Sequence, residues 1–468
     1  MQQPDWAATL TTARDLALGY LTKLPDRPVG VTADIASLRA ALGGPLPVGP
    51  TDAEQVIASL AAAVDPGIMG SQSGRFFGFV VGGSAPAGLA ADWLTAAWDQ
   101  NAGLAALAPA ASVVEEIAGE WLAEILGLPA RASFGFVTGG QMANFTGLAA
   151  ARHEVLRRAG WDVEADGLMG APRVRVFAGA RRHDTIDRAL RFLGLGRNVI
   201  IPVGADEQGR MRPDALAAAL AVEAGPAIVC TQVGEVNTGA VDPVGEICEI
   251  AHRAGAWVHV DGAFGLWAAA SPSLRHLTAG VDRADSWTVD VHKWLNVPYD
   301  SGLSFCAHPE AHRAAMGVRA SYLIHGAAGE RDEIDYNPEF SRRARGFAIY
   351  AAIRNLGRDG IAELVQRSCS LARRFATALA AEPDIEVLND VVLNQVLVRF
   401  RAVDGDHDGH TRAVIDRLQR DGTCWMSGTT WGGGAAMRIS VTNWSTDEDD
   451  VDRSVAAILH HTRSGRDD

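Results

Sequence analysis

The sequence predicts an α/β fold built on a mostly parallel sheet of seven strands, and three observations predict it. Between about residues 134 and 306, seven short apolar runs alternate with helical patterns: Phe134–Thr138, Val174–Ala178, Val199–Val203, Ala227–Gln232, Trp257–Asp261, Ser286–Val291 and Leu303–Cys306. Helices follow after Gly140, His183, Pro213 and Pro243, the third with proline in its first turn, where a missing N–H costs nothing. Regular alternation of this kind implies parallel strands covered by helices on both faces. The third observation is chemical. Two of the strands run into polar residues, Asp261 and then His292-Lys293, at the end where such sheets place their sites.

Taken in order, residues 1–75 read as short amphipathic helices broken by proline-rich links such as Leu24 to Pro28 and Gly44 to Pro47. A piece of this kind cannot bury its own apolar faces and must pack on the main body or on a partner subunit. The aromatic and glycine-rich stretch Phe76 to Ser84 reads either as a buried turn stitched to the core or as the wall of a substrate pocket. Next, Ser112-x-x-Glu115 reads as a capping box, with Val113, Ile117, Trp121 and Ile125 as one apolar face and Gly127 and Pro129 as the stop. After the alternating region, a long helical pattern through Ile349, Ile353, Leu356, Leu364 and Leu371 bridges to a smaller α+β unit, with strands near Leu393–Phe400 and Ala436–Thr442. The domains expected are therefore 1–75 (helical), 76–345 (large) and 346–468 (small).

Composition sets the outer limits. Hydrophobic residues make up 48% and charged residues 21% of the 468 residues, as in a globular chain. A formal charge of −14 without clustered Lys and Arg argues against a nucleic-acid surface and for a small-molecule partner. The five cysteines are spread out, include no Cys-x-x-Cys, and read as small buried hydrophobes in a reducing compartment. With neither a basic, apolar leader nor an apolar run of roughly 20 residues, the expectation is a cytoplasmic protein. The run Asp404 to His410 begins like a calcium loop but lacks the glutamate at its end, so it reads as a solvated loop and no metal is expected.

The chemistry gathers around Lys293. Burying an ammonium at a strand end costs several kcal/mol, on the order of its desolvation, unless the group is paired or converted, and a lysine that becomes a Schiff base avoids that cost. A strand-borne acid (Asp261), a glycine pair opening a helix (Gly139-Gly140) and a histidine at another helix start (His183) are the remaining parts that a pyridoxal phosphate site needs. The stretches His259 to Gly265, Asp290 to Leu295 and Val137 to Asn144 together resemble the group II pyridoxal-phosphate-dependent decarboxylases of fold type I, in the aspartate aminotransferase-like superfamily, relatives of aromatic amino acid, glutamate and histidine decarboxylases. The resemblance extends from about residue 75 to the C-terminus.

That resemblance implies roles. Lys293 forms the Schiff base with pyridoxal 5′-phosphate, and Asp261 pairs with the pyridine nitrogen. Gly139 and Gly140 offer backbone N–H groups to the phosphate, with Gln141 where the family has serine and Asp290 and His292 completing that end. His183 stacks on the ring and orients the departing carboxylate, while Ala263 packs on the opposite face. Phe79 and Val236 line the substrate pocket, and the family's Gly-Thr-Thr becomes Gly234-Glu235-Val236, which removes a hydroxyl and adds a charge. Tyr336, in a polar loop over Gly326–Pro338, returns a proton to the α-carbon. Arg438 either binds a substrate carboxylate or pairs within the small unit. The N-terminal helices wrap a second copy of the chain, making a homodimer with its active sites at the subunit interface. The implied reaction is decarboxylation of an L-amino acid to an amine and carbon dioxide. The alternative is another reaction of the same cofactor: transamination, aldehyde-forming oxidative decarboxylation or aldol-type bond formation.

Overall fold

The computed structural model describes residues 6–318 and 330–463. Its main sheet has seven strands: β1 (Ser133–Val137), β2 (Arg175–Gly179), β3 (Ile200–Val203), β4 (Ala227–Gln232), β5 (Trp257–Asp261), β6 (Ser286–Asp290) and β7 (Gly302–Cys306). They lie in the order β1-β7-β6-β5-β4-β2-β3, parallel throughout except that β7 runs antiparallel to both β1 and β6. Every residue of β1, β2, β4, β5, β6 and β7 is buried, so that even polar ones such as His259, Ser286 and Thr288 lie inside. Trp257, Trp267, Trp287 and Trp294 are completely enclosed around the central strands. The expected strands and the four helices that follow them fall within two residues of these bounds.

A second, antiparallel sheet has the order β10-β11-β9-β8, from β8 (Ile385–Val387), β9 (Gln395–Phe400), β10 (Ser427–Trp431) and β11 (Gly434–Ser440). The helix Gly346–Ala380 leads into it and breaks once at Gly357, whose φ of +64° and ψ of 179° are not helical. β8 and β10 carry no signal in the sequence, being a three-residue strand and one with mixed exposure.

Three expectations need correction. The helix meant to begin at a Ser112 cap begins at Pro109, and Ser112 and Glu115 are buried inside it. Its core face is Ala111, Glu115, Ala118 and Leu122, while Val113 points outward. The reason is Arg342, whose guanidinium donates to Glu115 Oε2 at 2.9 Å, Ala102 O at 2.7 Å and Phe136 O at 2.7 Å and so draws a charged residue to the inside. The supposed loop Asp404 to His410 is half helical. Asp406 caps the helix His407–Asp421 by accepting from Gly409 N at 2.8 Å. Of the loop expected over Gly326–Pro338, residues 326–329 lie outside the described residues, and the part that is described is a packed turn.

The helices Trp6–Lys23, Ile35–Leu42 and Ala53–Val64 bury no residue at all. Among the described residues, no helix is long and apolar enough to cross a membrane.

Candidate active site

β4, β5 and β6 are parallel and in register, so Gln232 stands beside Asp261 and Asp261 beside Thr288, all at one edge of the sheet. The chain leaves β6 at Asp290 and turns at once, bringing His292 and Lys293 back over that edge. Opposite them, β1 ends and helix Gly140–Arg158 begins at the Gly139-Gly140 pair. A Cβ on Gly139 would lie 2.8 Å from the His292 ring, and one on Gly140 would lie 2.8 Å from Asp290 Oδ2. Glycine is required here because the helix end approaches the β6 turn too closely for any side chain.

Lys293 Nζ lies 2.9 Å from Asp290 Oδ2, and Asp290 Oδ1 accepts the Gly140 N–H. Burial opposes ionisation of Asp290, but the Lys293 and His292 charges and these hydrogen bonds outweigh it and hold the carboxyl below its usual range. His292 accepts from Ser301 N on Nδ1 at 3.1 Å and faces Asp290 with Nε2 at 3.4 Å; burial lowers its tendency to protonate.

Lys293, Asp290, Asp261, Ala263, His183, Gly140, Gln141, Phe79 and Val236 line one cavity. Asp261 is 8% exposed, accepts from Ala263 N at 3.2 Å and Asn144 Nδ2 at 3.1 Å, and forms no ion pair with a basic side chain among the described residues. A buried carboxylate without a cation is costly, and a protonated pyridine ring in this cavity would remove the cost. His183 stands at the mouth as the N-cap of helix Asp184–Phe192, its Nδ1 accepting from Thr185 N at 3.3 Å. Gln141 reaches Thr185 O at 3.3 Å. Phe79 is 60% exposed and stacks on Trp425 at 5.4 Å between ring centroids. Its φ of +61°, followed by +89° at Val80, is a rare conformation for side chains of this size and aims the Phe79 ring at the cavity mouth.

Of the expected residues, Gly139 and His292 adjoin Asp290 without lining the cavity, and two more are placed elsewhere. Tyr336 is buried, its hydroxyl taking Arg313 Nη2 at 2.6 Å and its ring stacked under Arg331 at 3.9 Å; its carbonyl oxygen packs against Gly135 of β1. It does not line the cavity that holds Lys293. Glu235 does not line it either, because its carboxylate closes its own turn on Asn237 N at 2.7 Å and Thr238 N at 2.8 Å. Conversely, Asn144, Thr185, Gln232 and Phe264 line the cavity but were given no role by the sequence. Asn144 had a readable signal: it lies one helical turn after Gly140 and so shares its face.

A cavity with a strand-end lysine, an uncompensated acid and a glycine-opened helix has the donor set that pyridoxal phosphate needs. A family model described as the pyridoxal-dependent decarboxylase conserved domain matches residues 37–403. The chain belongs to this family. Among relatives of this decarboxylase, tryptophan decarboxylase 1 of Oryza sativa subsp. japonica is 29% identical over 98% of this chain and 92% of its own length. The 4-hydroxyphenylacetaldehyde synthase of Rhodiola rosea is 27% identical over 95% and 93%. A crystal structure of Oryza sativa TDC with PLP and tryptamine superposes with a TM-score of 0.93 at 26% identity, each chain fully covered. The decarboxylase is thus a carboxy-lyase of the fold type I architecture that takes pyridoxal 5′-phosphate as its cofactor.

Proposed function

We propose that this decarboxylase converts an aromatic L-amino acid to the corresponding amine and carbon dioxide, with Lys293 as the covalent anchor of the cofactor. The observation that carries the reading is the meeting of Lys293, Asp261 and His183 in one cavity at the carboxyl end of parallel strands. When bound there, pyridoxal phosphate supplies an electron sink for the pair left by the departing carboxylate. The chain's own residues do the rest. Asp261 holds a proton on the ring nitrogen. Asp290 would hold the Lys293 side chain whenever its amine is free. Gly140 and Gln141, with the neighbouring Gly139 and His292, would hold the phosphate, and Ala263 and His183 would flank the ring. His183 orients the substrate carboxylate from the cavity mouth.

The aromatic class is supported by the substrates named in the relatives and by the Phe76-Trp425-Phe79 stack beside the cavity. A second reading, aldehyde-forming oxidative decarboxylation, is supported by the synthase relative and by Tyr336, whose hydroxyl is engaged by Arg313 and so leaves the proton return unassigned.

The working unit in this proposal is a homodimer with active sites at the interface. The first three helices expose Trp6, Leu10, Ile35, Leu42 and Leu60, and a cavity of about 760 Å³ lined by Leu18, Leu21, Leu89, Trp93 and Trp444 adjoins them. Both are apolar surfaces that a second copy would cover. A cytoplasmic setting is supported by the five cysteines, all buried and unpaired.

The test is incubation of the holoenzyme with a panel of amino acids, without a keto acid, following carbon dioxide, amine, aldehyde and hydrogen peroxide. Equal amounts of amine and carbon dioxide from aromatic substrates alone would support the first reading. Aldehyde with peroxide would select the second, and no carbon dioxide from any substrate would sink both.

A further inference from the structure

Asp261, His183 and the β5 histidine His259 are joined by an unbroken set of hydrogen bonds that meets at Asn144. Asn144 is 1% exposed. Its Nδ2 lies 3.1 Å from Asp261 Oδ2 and 3.0 Å from Thr185 Oγ1. Its Oδ1 lies 2.8 Å from His259 Nε2 and 2.8 Å from Thr288 Oγ1. From His259 the chain continues through Nδ1 to Ser286 Oγ at 2.8 Å, and Ser286 faces Trp257 Nε1 at 2.9 Å.

The donor inventory gives this network one direction. An indole N–H can only donate, so Ser286 accepts from Trp257; the Asn144 oxygen can only accept, so the neutral His259 has its hydrogen on Nε2 and takes the Ser286 hydrogen on Nδ1. His259 then carries its proton on Nε2 and donates to Asn144 Oδ1, which also takes the Thr288 hydroxyl. The amide nitrogen of Asn144 is left facing two acceptors, the Asp261 carboxylate and Thr185 Oγ1. The backbone N–H of Thr185 also points at His183 Nδ1, which is therefore an acceptor and takes the Thr185 hydroxyl hydrogen at 2.9 Å. His183 therefore keeps its proton on Nε2. The flipped amide would aim an oxygen at the Asp261 carboxylate, two acceptors face to face in a buried site, which fixes the orientation. Burial reinforces the arrangement by pushing His259 down to about 4, so that it stays neutral.

We propose that Asn144 is a positioning residue that sets two groups at once: the Asp261 carboxylate, held at Oδ2 with Ala263 N holding Oδ1, and the Nε2–H tautomer of His183 at the cavity mouth. The proposal rests on the reading of Asp261 and His183 given above. It extends that reading by making the acid under the ring and the histidine at the mouth depend on one buried amide. Because the amide is itself locked by a neutral histidine two strand positions before Asp261, the site's geometry is fixed from behind the cavity.

The test uses the full chain with and without pyridoxal phosphate. Long-range 1H–15N spectra of the histidine rings should show His259 and His183 as Nε2–H tautomers before the cofactor is added. Asn144→Ala should weaken cofactor binding, read by absorbance and fluorescence titration, by about tenfold, the worth of one strong buried hydrogen bond. Thr185→Val removes one hydroxyl at constant shape; it should lower kcat by about tenfold with KM and cofactor affinity little changed. At saturating cofactor, the double variant should be no slower than Asn144→Ala, because both cuts are in one chain. An Nδ1–H tautomer at His259, unchanged cofactor affinity in Asn144→Ala, or additive losses of rate would each overturn the proposal. If Asn144→Ala does not fold, the tautomers and the kcat-against-KM split of Thr185→Val still decide it. Failure of the unmodified chain to take up pyridoxal phosphate would sink the functional reading, and the tautomers would judge the network separately.

Discussion

The Lys293 ammonium lies 2.9 Å from Asp290 Oδ2, three residues back along the turn that leaves β6. Asp290 is 3% exposed and carries the Gly140 N–H on its other oxygen, so it ties the lysine to the glycine-opened helix. If Lys293 is the anchor, borohydride reduction of the holoenzyme should leave the cofactor's mass on the peptide containing it, and Lys293→Ala should carry none. Label found on another lysine would refute the assignment. Asp290→Asn should fold but lose about 1.5–3 kcal/mol in denaturant, the range for a hydrogen bond to a charged group.

Arg342 and Glu115 are both fully buried and paired at 2.9 Å. The pair sits where the helix Pro109–Ile125, β1 and the segment near Ala102 meet, beneath the glycine turn. Arg342→Met should cost about 3–5 kcal/mol, because Glu115, which burial pushes up to about 8 even beside the guanidinium, must then take a proton, and Ala102 O and Phe136 O lose their donor. Glu115→Gln combined with Arg342→Met should recover most of that in urea unfolding. If the double change is as damaging as the single one, the packing of Arg342 and not its charge is what matters.

The sequence was most legible where chemistry and burial coincide. Trp257–Asp261 and Ala227–Gln232 appear with the bounds read from the sequence, since each apolar run stops at a polar residue, Asp261 or Gln232, where the strand ends. Lys293, Asp261 and His183 stood out because each is an expensive or unusual residue at an element's end, and the fold brings all three to one cavity. The misreadings share another cause. Glu115 was taken for a surface cap and Tyr336 for a loop residue because their partners, Arg342 and Arg313, are 227 and 23 residues away and local pattern cannot see them. Asn144 was passed over for the same reason. An asparagine on a helix says nothing until β5 and β6 bring His259, Asp261 and Thr288 to it.

Arg438 on β11 is 8% exposed, and among the described residues its Nε has no hydrogen-bond partner while Nη2 reaches Phe79 O at 3.5 Å. Burial lowers its pKa, and Glu235, the nearest opposing charge, has its carboxylate committed to its own turn. A buried guanidinium without a carboxylate, reaching the backbone of the residue at the cavity mouth, fits capture of a substrate carboxylate. Arg438→Gln should raise KM by roughly tenfold or more, in proportion to a lost charge-assisted hydrogen bond of about 1.5–3 kcal/mol, with a smaller effect on kcat. Unchanged KM together with a higher melting temperature would mean that Arg438 is only an unpaired burden on the small sheet.

Asp285, just before β6 at the end of the sheet away from Lys293, sits between two histidines. Oδ1 lies 2.7 Å from His308 Nε2 and Oδ2 lies 3.0 Å from His252 Nε2, while Val258 N donates to Oδ2 at 2.7 Å. Burial works against its ionisation, yet the two histidines and the backbone bond prevail and bring it down to about 2, from an ordinary 3.8. A carboxyl whose folded pKa lies below its unfolded one adds stability that is complete above the unfolded value and is lost as the pH falls through the folded value. Here that is about 2 kcal/mol near neutral pH, falling to about half near pH 3. Unfolding in urea of the wild type and Asp285→Asn, compared from about pH 6 downward, should show a gap that narrows below about pH 4. A gap that stays constant down to pH 3 would assign the loss to packing at the β5–β6 junction and not to the charge.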